Sequence, residues 1–245
     1  VTGVKAGQTT IRVTTKDGGF TAACAVTVTD SNAPQKDESG VYQIATAAQL
    51  KWFADQVNDG GEENAALNAV LTEDIDLSSV CGAGKDSWTP IGDYSKDTYM
   101  TYSGKFDGQG HKITNLYISE ENDDYTSVSW NYRALFGDCQ KATIENLSVY
   151  GTVESNNRFV AAIVGSATSC TLRNLHNYAT VTCTRATNEW GYAGVVASAR
   201  TNTLVENCSN HGKISGHCYQ VGGIAASAAG VTFKGCYNDD DIYCH

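Results

Sequence analysis

Acidic side chains are the residues of this sequence whose spacing could support acid–base chemistry. Asp74 and Asp76 lie two positions apart in an alternating apolar stretch, so both carboxylates would project from the same face of a strand. Two adjacent carboxylates with different pKa values can act as acid and base on a glycosidic bond. Asp107 is a third candidate. Because no acidic column recurs along the chain, we predict no catalytic residue.

Metal and nucleophile chemistry have weaker support. The acidic runs 120–124 and 239–241 carry oxygen ligands that suit Ca²⁺, but such runs are more often solvated loops, so weak Ca²⁺ binding is the one cofactor considered. The five histidines form no recognisable serine–histidine–aspartate set, and no phosphate-binding glycine motif is present. The nine cysteines include no C-x-x-C pair, so no metal site is predicted. Buried free thiols are expected, with one or two disulfides as the alternative.

Ligand binding is the chemistry that the remaining residues could support. Aromatic side chains offer flat apolar faces to a sugar or a protein surface, and neighbouring Asn, Asp and Arg side chains can orient it. Four long segments of variable length combine these residue types, at 119–133, 154–160, 183–192 and 215–221. The alternative is that their tryptophans pack back onto the fold. The candidate ligand-binding residues are Tyr125, Trp130, Tyr132, Arg158, Arg185, Glu189, Trp190 and Tyr219.

Two recurring motifs indicate the architecture that must position these segments. The first is an apolar residue followed by x-Asn-Leu or x-Asn-Cys and then by Gly-x-Val or Gly-x-Ile. Its copies, some degenerate, lie at 144–153, 172–181, 205–214 and 233–242, after a partial copy at 113–116. The second motif begins as Ala-Leu-Phe-Gly, and its copies lie at 134–137, 162–165, 194–197 and 223–226. Both advance by 28 to 33 residues, which favours a repeat protein.

Each repeat holds short β-type segments separated by Gly, Asn and Ser, and has no helical period. Such a unit buries its apolar face by stacking on its neighbours, so we predict an all-β parallel β-helix with coils of about 28–33 residues. Recurring asparagines would then form a buried structural ladder of side-chain hydrogen bonds. The ladder residues are Asn115, Asn146, Asn174 and Asn207. Cys208 and Cys236 would lie on adjacent coils, as packed thiols or as a disulfide.

A helix signal precedes the repeats. Thr46 and Gln49 form a capping box, and apolar residues follow at helical spacing up to Val57. We predict a short helix at about 47–58 that caps the N-terminal end of the stack. Residues 102–111 indicate a strand, a Gly-rich turn and a return strand. Because the last repeat breaks off without a cap, we expect the β-helix to be truncated at its C-terminus.

Several of these stretches resemble a known group of proteins. In order, they are Asp-Ile-Asp-Leu at 74–77, Trp-Thr-Pro-Ile-Gly at 88–92 and Gly-x-Phe-Asp-Gly-x-Gly-His at 104–111. Together they resemble bacterial cell-surface proteins with right-handed parallel β-helices. The second motif resembles the GLUG motif of that group, although its last two copies end in Ala. The resemblance implies the handedness and the extracellular setting, since such modules occur in adhesins, surface proteases and carbohydrate-active proteins.

The N-terminal residues resemble a different family. Two strand-like segments flank the hairpin turn Asp17-Gly18-Gly19 and are similar to the C-terminal part of a bacterial group 2 Ig-like domain. We therefore divide the chain into a partial Ig-like β-sandwich at 1–30, a linker at 31–40 and the β-helix at 41–245. An incomplete sandwich implies that other domains belong to the same longer chain.

The charge composition of the chain limits the classes of partner that it could bind. With 17 Lys and Arg against 27 Asp and Glu, the net charge is −10, so nucleic acid and anionic membranes are excluded. No apolar run approaches the roughly 20 residues of a membrane-spanning helix. We expect a non-catalytic module of a bacterial cell-surface or secreted protein that binds a host or environmental glycan or a surface protein. The alternatives are a carbohydrate-active enzyme, either a polysaccharide lyase or a glycoside hydrolase, and a purely structural stalk or spacer.

Overall fold

The computed structural model describes residues 7–28, 30–94, 100–120, 131–184 and 189–244. The chain forms two compact units, Val1–Ala33 and Pro34–His245. The smaller unit is an antiparallel hairpin of strands β1 (Gly7–Thr14) and β2 (Thr21–Val28). Its turn contains Gly19 at φ 67°, a left-handed conformation that glycine adopts without a steric penalty. The predicted hairpin is confirmed.

The larger unit begins within the segment that the sequence indicates as a linker. Strand β3 (Gln35–Lys36) pairs antiparallel with β4 (Tyr42–Ile44), so part of the 31–40 segment is a strand of this unit. Asp37 closes the connection, because its carboxylate accepts the backbone N–H groups of Ser39 and Val41. Strand β3 consists of two polar residues, so the sequence carries no strand signal there.

Helix α1 (Ala47–Asp59) confirms the predicted helix to within one residue. The Thr46 hydroxyl accepts the backbone N–H of Gln49, which satisfies one of the N–H groups that a helix start leaves without a partner. The apolar face of α1 is buried, and Phe53 packs against Phe106 with 6.2 Å between ring centroids. The helix therefore shares its apolar core with the strands that follow.

The rest of the larger unit is mainly β, and its strands are mostly parallel. Its elements in chain order are α2 (Gly61–Ala65), β5 (Ala69–Leu71), β6 (Ile75–Asp76), a 3₁₀ turn (Leu77–Ser79), β7 (Lys105–Asp107), β8 (Lys112–Glu120), β9 (Tyr132–Arg133), β10 (Phe136–Gln140), β11 (Thr143–Ser155), β12 (Phe159–Ala161), β13 (Val164–Thr168), β14 (Thr171–Asn177), β15 (Thr180–Cys183), β16 (Glu189–Ala193), β17 (Val196–Glu206), β18 (Ser209–Asn210), β19 (Ile214–Gly216), β20 (Cys218–Gly222), β21 (Ala225–Lys234), β22 (Tyr237–Asn238) and β23 (Ile242–Cys244).

Strands one repeat apart in the sequence pair side by side in parallel. The second motif aligns along β10, β13 and β17, with Phe136 opposite Val164 and Val164 opposite Val196. The first motif aligns along β11, β14 and β17. Strands β7 and β8 also both pair in parallel with β11, so the predicted return strand within 102–111 is wrong. The chain bends between β7 and β8, and both strands run parallel to β11.

The recurring asparagines occupy corners of the backbone. Asn115, Asn146, Asn174 and Asn207 have φ values between 51° and 57°, and Gly235 takes the equivalent place in the next repeat at 58°. Asparagine tolerates this left-handed conformation better than most residues that carry a side chain. Their side chains are exposed or half-buried rather than buried as expected. The recurrence therefore reflects backbone geometry at the corner.

Part of the predicted asparagine ladder is in register. Asn174 Nδ2 donates to Asn146 Oδ1 at 2.7 Å, and Asn146 Nδ2 donates to Asp107 Oδ1 at 3.0 Å. The prediction was wrong for Asn115. Its strand, β8, pairs with the later part of β11, so Asn115 lies outside this column. The Asn115 side chain donates instead to Asp76 at 2.7 Å.

A second asparagine column, which the sequence-based prediction missed, is buried. Asn177 and Asn210 have no exposed surface. Asn177 Nδ2 donates to Asn210 Oδ1 at 2.7 Å, and Asn210 Nδ2 donates to Asn238 Oδ1 at 2.6 Å. Each amide also donates to the backbone carbonyl two residues further along, so the buried polar groups are satisfied. The three asparagines are 33 and 28 residues apart, and this repeat spacing was the sequence signal for the column.

Asn210→Ala should lower the free energy of unfolding by about 3 kcal/mol, because it removes one of the two hydrogen-bond acceptors of the Asn177 amide and leaves the Gly212 carbonyl without its side-chain donor in the core. Asn207→Gly is the matched control. It should change stability by less than about 0.5 kcal/mol, since glycine suits the same corner. Urea unfolding of both variants measures the difference. Equal losses in the two variants would contradict the role of the buried column.

Candidate functional site

The structure describes part of the predicted ligand-binding set. Tyr125, Trp130 and Arg185 lie outside the described residues. Glu189 and Trp190 are described through their backbone, as the first two residues of β16. The side chains of Tyr132, Arg158 and Tyr219 are described, and they occupy three different strands or strand edges.

The four segments predicted to bind ligand contribute residues to a short parallel sheet. Its strands pair in the order β20, β16, β12 and β9. Because Phe159 lies opposite Gly191, the preceding residues Arg158 and Trp190 occupy equivalent positions, and Tyr219 follows on β20. Tyr219 is 72% exposed. Trp190 and Tyr219 therefore lie on adjacent strands, and Arg158 immediately precedes the next strand of the same sheet.

Tyr132 differs from the prediction of an exposed aromatic. It is 6% exposed, and its ring packs against Phe159 at 5.9 Å and Tyr94 at 5.8 Å between centroids. Its pairing with Phe159 on the neighbouring strand brings the two rings together. Tyr132 is therefore part of a packed aromatic cluster, and its remaining edge faces a pocket.

An open polar pocket of about 300 Å³ lies beside this cluster. Strand register assembles it, since Asp138 on β10 lies opposite Ser166 on β13, and Gln140 lies opposite Thr168. The pocket is lined by Tyr94, Tyr132, Asp138, Gln140, Ser166, Thr168 and Arg200. Aromatic walls with a few convergent polar groups are typical of small-molecule sites.

The carboxylate of Asp138 is the most unusual group in this pocket. It is 5% exposed and accepts a hydrogen bond from Gln140 Nε2 at 3.1 Å. Burial raises the pKa of Asp138 above its ordinary value of 3.8, and hydrogen bonds from Ser166 and Gln140 and the positive charge of Arg200 oppose that rise. A buried carboxylate with a perturbed pKa in a cleft is a recognised mark of functional sites.

Ser166 connects the carboxylate to the aromatic wall. Its side chain hydrogen-bonds both Asp138 and Tyr132. Because an ionised carboxylate can only accept, Ser166 donates to Asp138. Burial raises the pKa of Tyr132, and its hydrogen bond with Ser166 opposes that rise. The three side chains lie together on one side of the pocket.

The pocket residues escaped sequence-based prediction although a signal existed. They follow the second motif at fixed offsets, as Asp138 and Gln140, as Ser166 and Thr168, and as Ser198 and Arg200. Three copies thus place two polar residues at the same offsets from the motif. The apolar positions of the motif predict the interior, whereas most of the polar residues that alternate with them line the pocket.

The acidic residues first considered for catalysis have structural partners. Asp74 accepts the backbone N–H of Lys112 at 3.1 Å, which lowers its pKa. Asp76 accepts the side-chain amide of Asn115 at 2.7 Å, which also lowers its pKa. Two carboxylates that both favour the ionised form do not supply the acid of an acid–base pair. Asp107 accepts from a corner asparagine.

The fold also brings together a serine–histidine–aspartate set that the sequence did not indicate. Ser209 Oγ lies 2.8 Å from His211 Nε2, and His211 Nδ1 lies 2.7 Å from Asp239. His176 Nδ1 lies 2.7 Å from the same serine oxygen. The geometry resembles a hydrolase triad. However, Ser209 has no exposed surface, so a substrate cannot reach its oxygen, and the set is a structural network.

The hydrogen-bond directions in this network follow from the acceptors. Asp239 accepts from His211 Nδ1–H, so Nε2 of a neutral His211 is an acceptor for the Ser209 hydroxyl. The serine oxygen then accepts from His176 Nδ1–H. Burial and the neighbouring His211 lower the pKa of His176. The network therefore favours a neutral His176.

The cysteines that the structure describes are free thiols. Within the described ranges, no group of three or more His, Cys, Asp or Glu side chains is placed to hold a metal ion. Cys139, Cys170 and Cys208 are buried free thiols, and burial raises the pKa of Cys170 to about 11 and that of Cys208 to about 12. Cys236 follows Cys208 in register without forming a disulfide. Packed thiols are thus the observed form of this column.

The described part of the chain is thus a mainly β, mostly parallel structure, and one of its pockets is both polar and aromatic. In comparisons with known proteins, the chain is similar to small parts of two much longer proteins. It is 30% identical over 129 residues to a protein of Evansella cellulosilytica named as a Gly-rich membrane protein, a match covering 51% of this chain and 13% of that protein. It is 28% identical over 209 residues to halomucin of Haloquadratum walsbyi, covering 82% of this chain and 2% of halomucin.

The chain therefore spans a small part of the relatives it matches. No family model matches the sequence, and no solved structure matches the fold. No helix among the described residues has the length and apolar character needed to cross a membrane.

His176→Asn should reduce the loss of stability that the protein shows on mild acidification. Because the folded pKa of His176 is lowered, its contribution is intact above the ordinary value of 6.5 and is lost as the pH falls through that value. Asparagine keeps a donor for Ser209 but cannot titrate. Urea unfolding at about pH 8 and about pH 5.5 measures the change. An identical pH dependence in the two proteins would contradict this role.

Proposed function

We propose that this chain contributes a non-catalytic, glycan-binding module to a longer bacterial surface or secreted protein. In this proposal the larger unit is a right-handed parallel β-helix with coils of about 28–33 residues, and helix α1 caps it. The smaller unit is the end of a group 2 Ig-like domain. Ligands are host or environmental glycans, and the remaining domains of the longer chain supply anchoring.

The pocket carries the proposal. It combines two tyrosine rings with a carboxylate, an amide, hydroxyl groups and a guanidinium within about 300 Å³. Sugars present apolar C–H faces beside dense hydroxyl groups, so they need both kinds of contact at once. The pocket is small for a protein partner, whose interfaces cover roughly 800 Å² on each side.

The setting is supported by repetition and by similarity. In-register parallel strands that recur every 28 to 33 residues suit an extended module whose outer face carries binding residues. One relative is named as a membrane protein, and the chain matches a small share of its length. A module within a long surface protein is consistent with both observations.

A carbohydrate-active enzyme is the second candidate, because Asp138 has the raised pKa that a general acid needs. Glycoside hydrolysis ordinarily uses two carboxyl groups. Asp138 is the one carboxylate among the described residues that line the pocket. Binding without turnover is therefore the better supported function, and release of reducing sugar from a bound oligosaccharide would reverse that order.

The double variant Gln140→Ala/Arg200→Ala should weaken glycan binding at least about tenfold, because both exposed side chains line the pocket. A glycan array identifies the ligand, and isothermal titration calorimetry measures its affinity. Lys51→Ala, an exposed residue of helix α1 outside the pocket, is the matched control.

The double variant Trp130→Ala/Trp190→Ala tests the alternative that the ligand binds to the segments 119–133 and 183–192. It should retain binding if the pocket is the site. Loss of binding in the tryptophan variant, together with unchanged binding in the pocket variant, would assign the site to those segments instead.

A further inference from the structure

We propose that the pocket selects an uncharged sugar residue, and that the Asp138 carboxylate accepts hydrogen bonds from its hydroxyl groups. This inference rests on the proposed glycan-binding function and specifies its ligand. Asp138 lies in the middle of β10 and lines the pocket with 5% of its surface exposed. A ligand that fills the pocket therefore meets a carboxylate that the protein encloses almost completely.

The hydrogen-bonding capacity of Asp138 is partly used. The Gln140 amide donates to Oδ2 at 3.1 Å, and the Ser166 side chain also bonds the carboxylate. An ionised carboxylate offers about four acceptor positions, so about two remain for a ligand. Two neighbouring sugar hydroxyl groups match that number, and the protein contacts hold the carboxylate in one orientation before the ligand arrives.

The charge balance of the pocket disfavours an anionic sugar. A uronate carboxylate in this pocket would approach the buried carboxylate of Asp138, and like charges repel. Arg200 already offsets Asp138, as its effect on the pKa of that carboxyl shows. The chain as a whole carries a net charge of −10, which adds to the repulsion.

A cationic ligand is disfavoured for the opposite reason. Two tyrosine rings and a carboxylate could attract an ammonium group. However, the Arg200 guanidinium lines the same pocket and repels a second cation. The rings of Tyr94 and Tyr132, 5.8 Å apart and tilted by 53°, instead offer an apolar wall to the C–H face of a neutral sugar.

Binding should depend on pH through Asp138. Protonation removes an acceptor position and the negative charge that attracts hydroxyl donors, so affinity falls as the pH falls through the pKa of this carboxyl, which is raised above 3.8. An ordinary exposed aspartate would lose its charge at a lower pH. The titratable or charged groups facing Asp138 are Tyr94, Tyr132, Arg200 and the thiols of Cys139 and Cys170.

The test is calorimetric titration of the full chain with methyl glycosides of glucose, galactose and mannose and with the corresponding uronates. At about pH 7.5, the best neutral glycoside should bind at least about tenfold more tightly than its uronate. Its affinity should fall on lowering the pH to about 4.5. Asp138→Asn should bind at least about tenfold more weakly and lose the pH dependence. Asp55→Asn, at an exposed carboxylate paired with Lys51 on helix α1, is the matched control and should behave as the unmodified chain.

The outcomes separate this inference from the proposed function. Preferential binding of the uronates, or of a quaternary ammonium probe such as tetramethylammonium, would overturn the inference alone. Binding of a neutral glycoside that is independent of pH and unchanged by Asp138→Asn would also overturn it. No binding of any glycoside would overturn both. The selectivity and pH profile of the unmodified chain decide the matter even if Asp138→Asn does not fold.

Discussion

Hydrogen bonding between parallel strands one repeat apart is the constraint on which this structure depends. It places each residue beside its counterpart 28 to 33 positions away. The side chains that lie side by side in such a column must therefore fit one another in size and charge. One outer column alternates in charge, with Glu145 contacting Arg173 at 3.4 Å and Arg173 contacting Glu206 at 2.8 Å. Like charges at this spacing would repel, so alternation is the arrangement that the register permits.

The same register governs the interior, where the residue type at equivalent positions changes from one strand to the next. Val149 lies opposite Asn177, so an apolar column becomes an amide column that continues through Asn210. The facing position is Gly194, where a Cβ atom would overlap with the Asn210 side-chain oxygen and with a backbone carbonyl. A larger polar side chain on one face thus requires glycine on the other, because the interior is close-packed.

Repetition made much of the larger unit predictable, while its functional surface was harder to foresee. Copies of two motifs indicated strands and columns, and the capping signal at Thr46 located helix α1. The prediction erred where backbone geometry, rather than burial, explains a recurring residue, as at Asn146. It also erred at Tyr132, because an aromatic residue in a long variable segment carries no mark of whether a neighbouring strand covers it.

The sequence by itself determined that this chain repeats, that its units are β-type, and that a helix precedes them, since these follow from local spacing and capping chemistry. Tertiary structure alone decided which residues meet. Asp138 and Ser166 are 28 positions apart, and their hydrogen bond exists because β10 and β13 pair in one register out of several. Ser209, His211 and Asp239 meet for the same reason, and the burial of Ser209, which only packing sets, makes them a support rather than a reactive site.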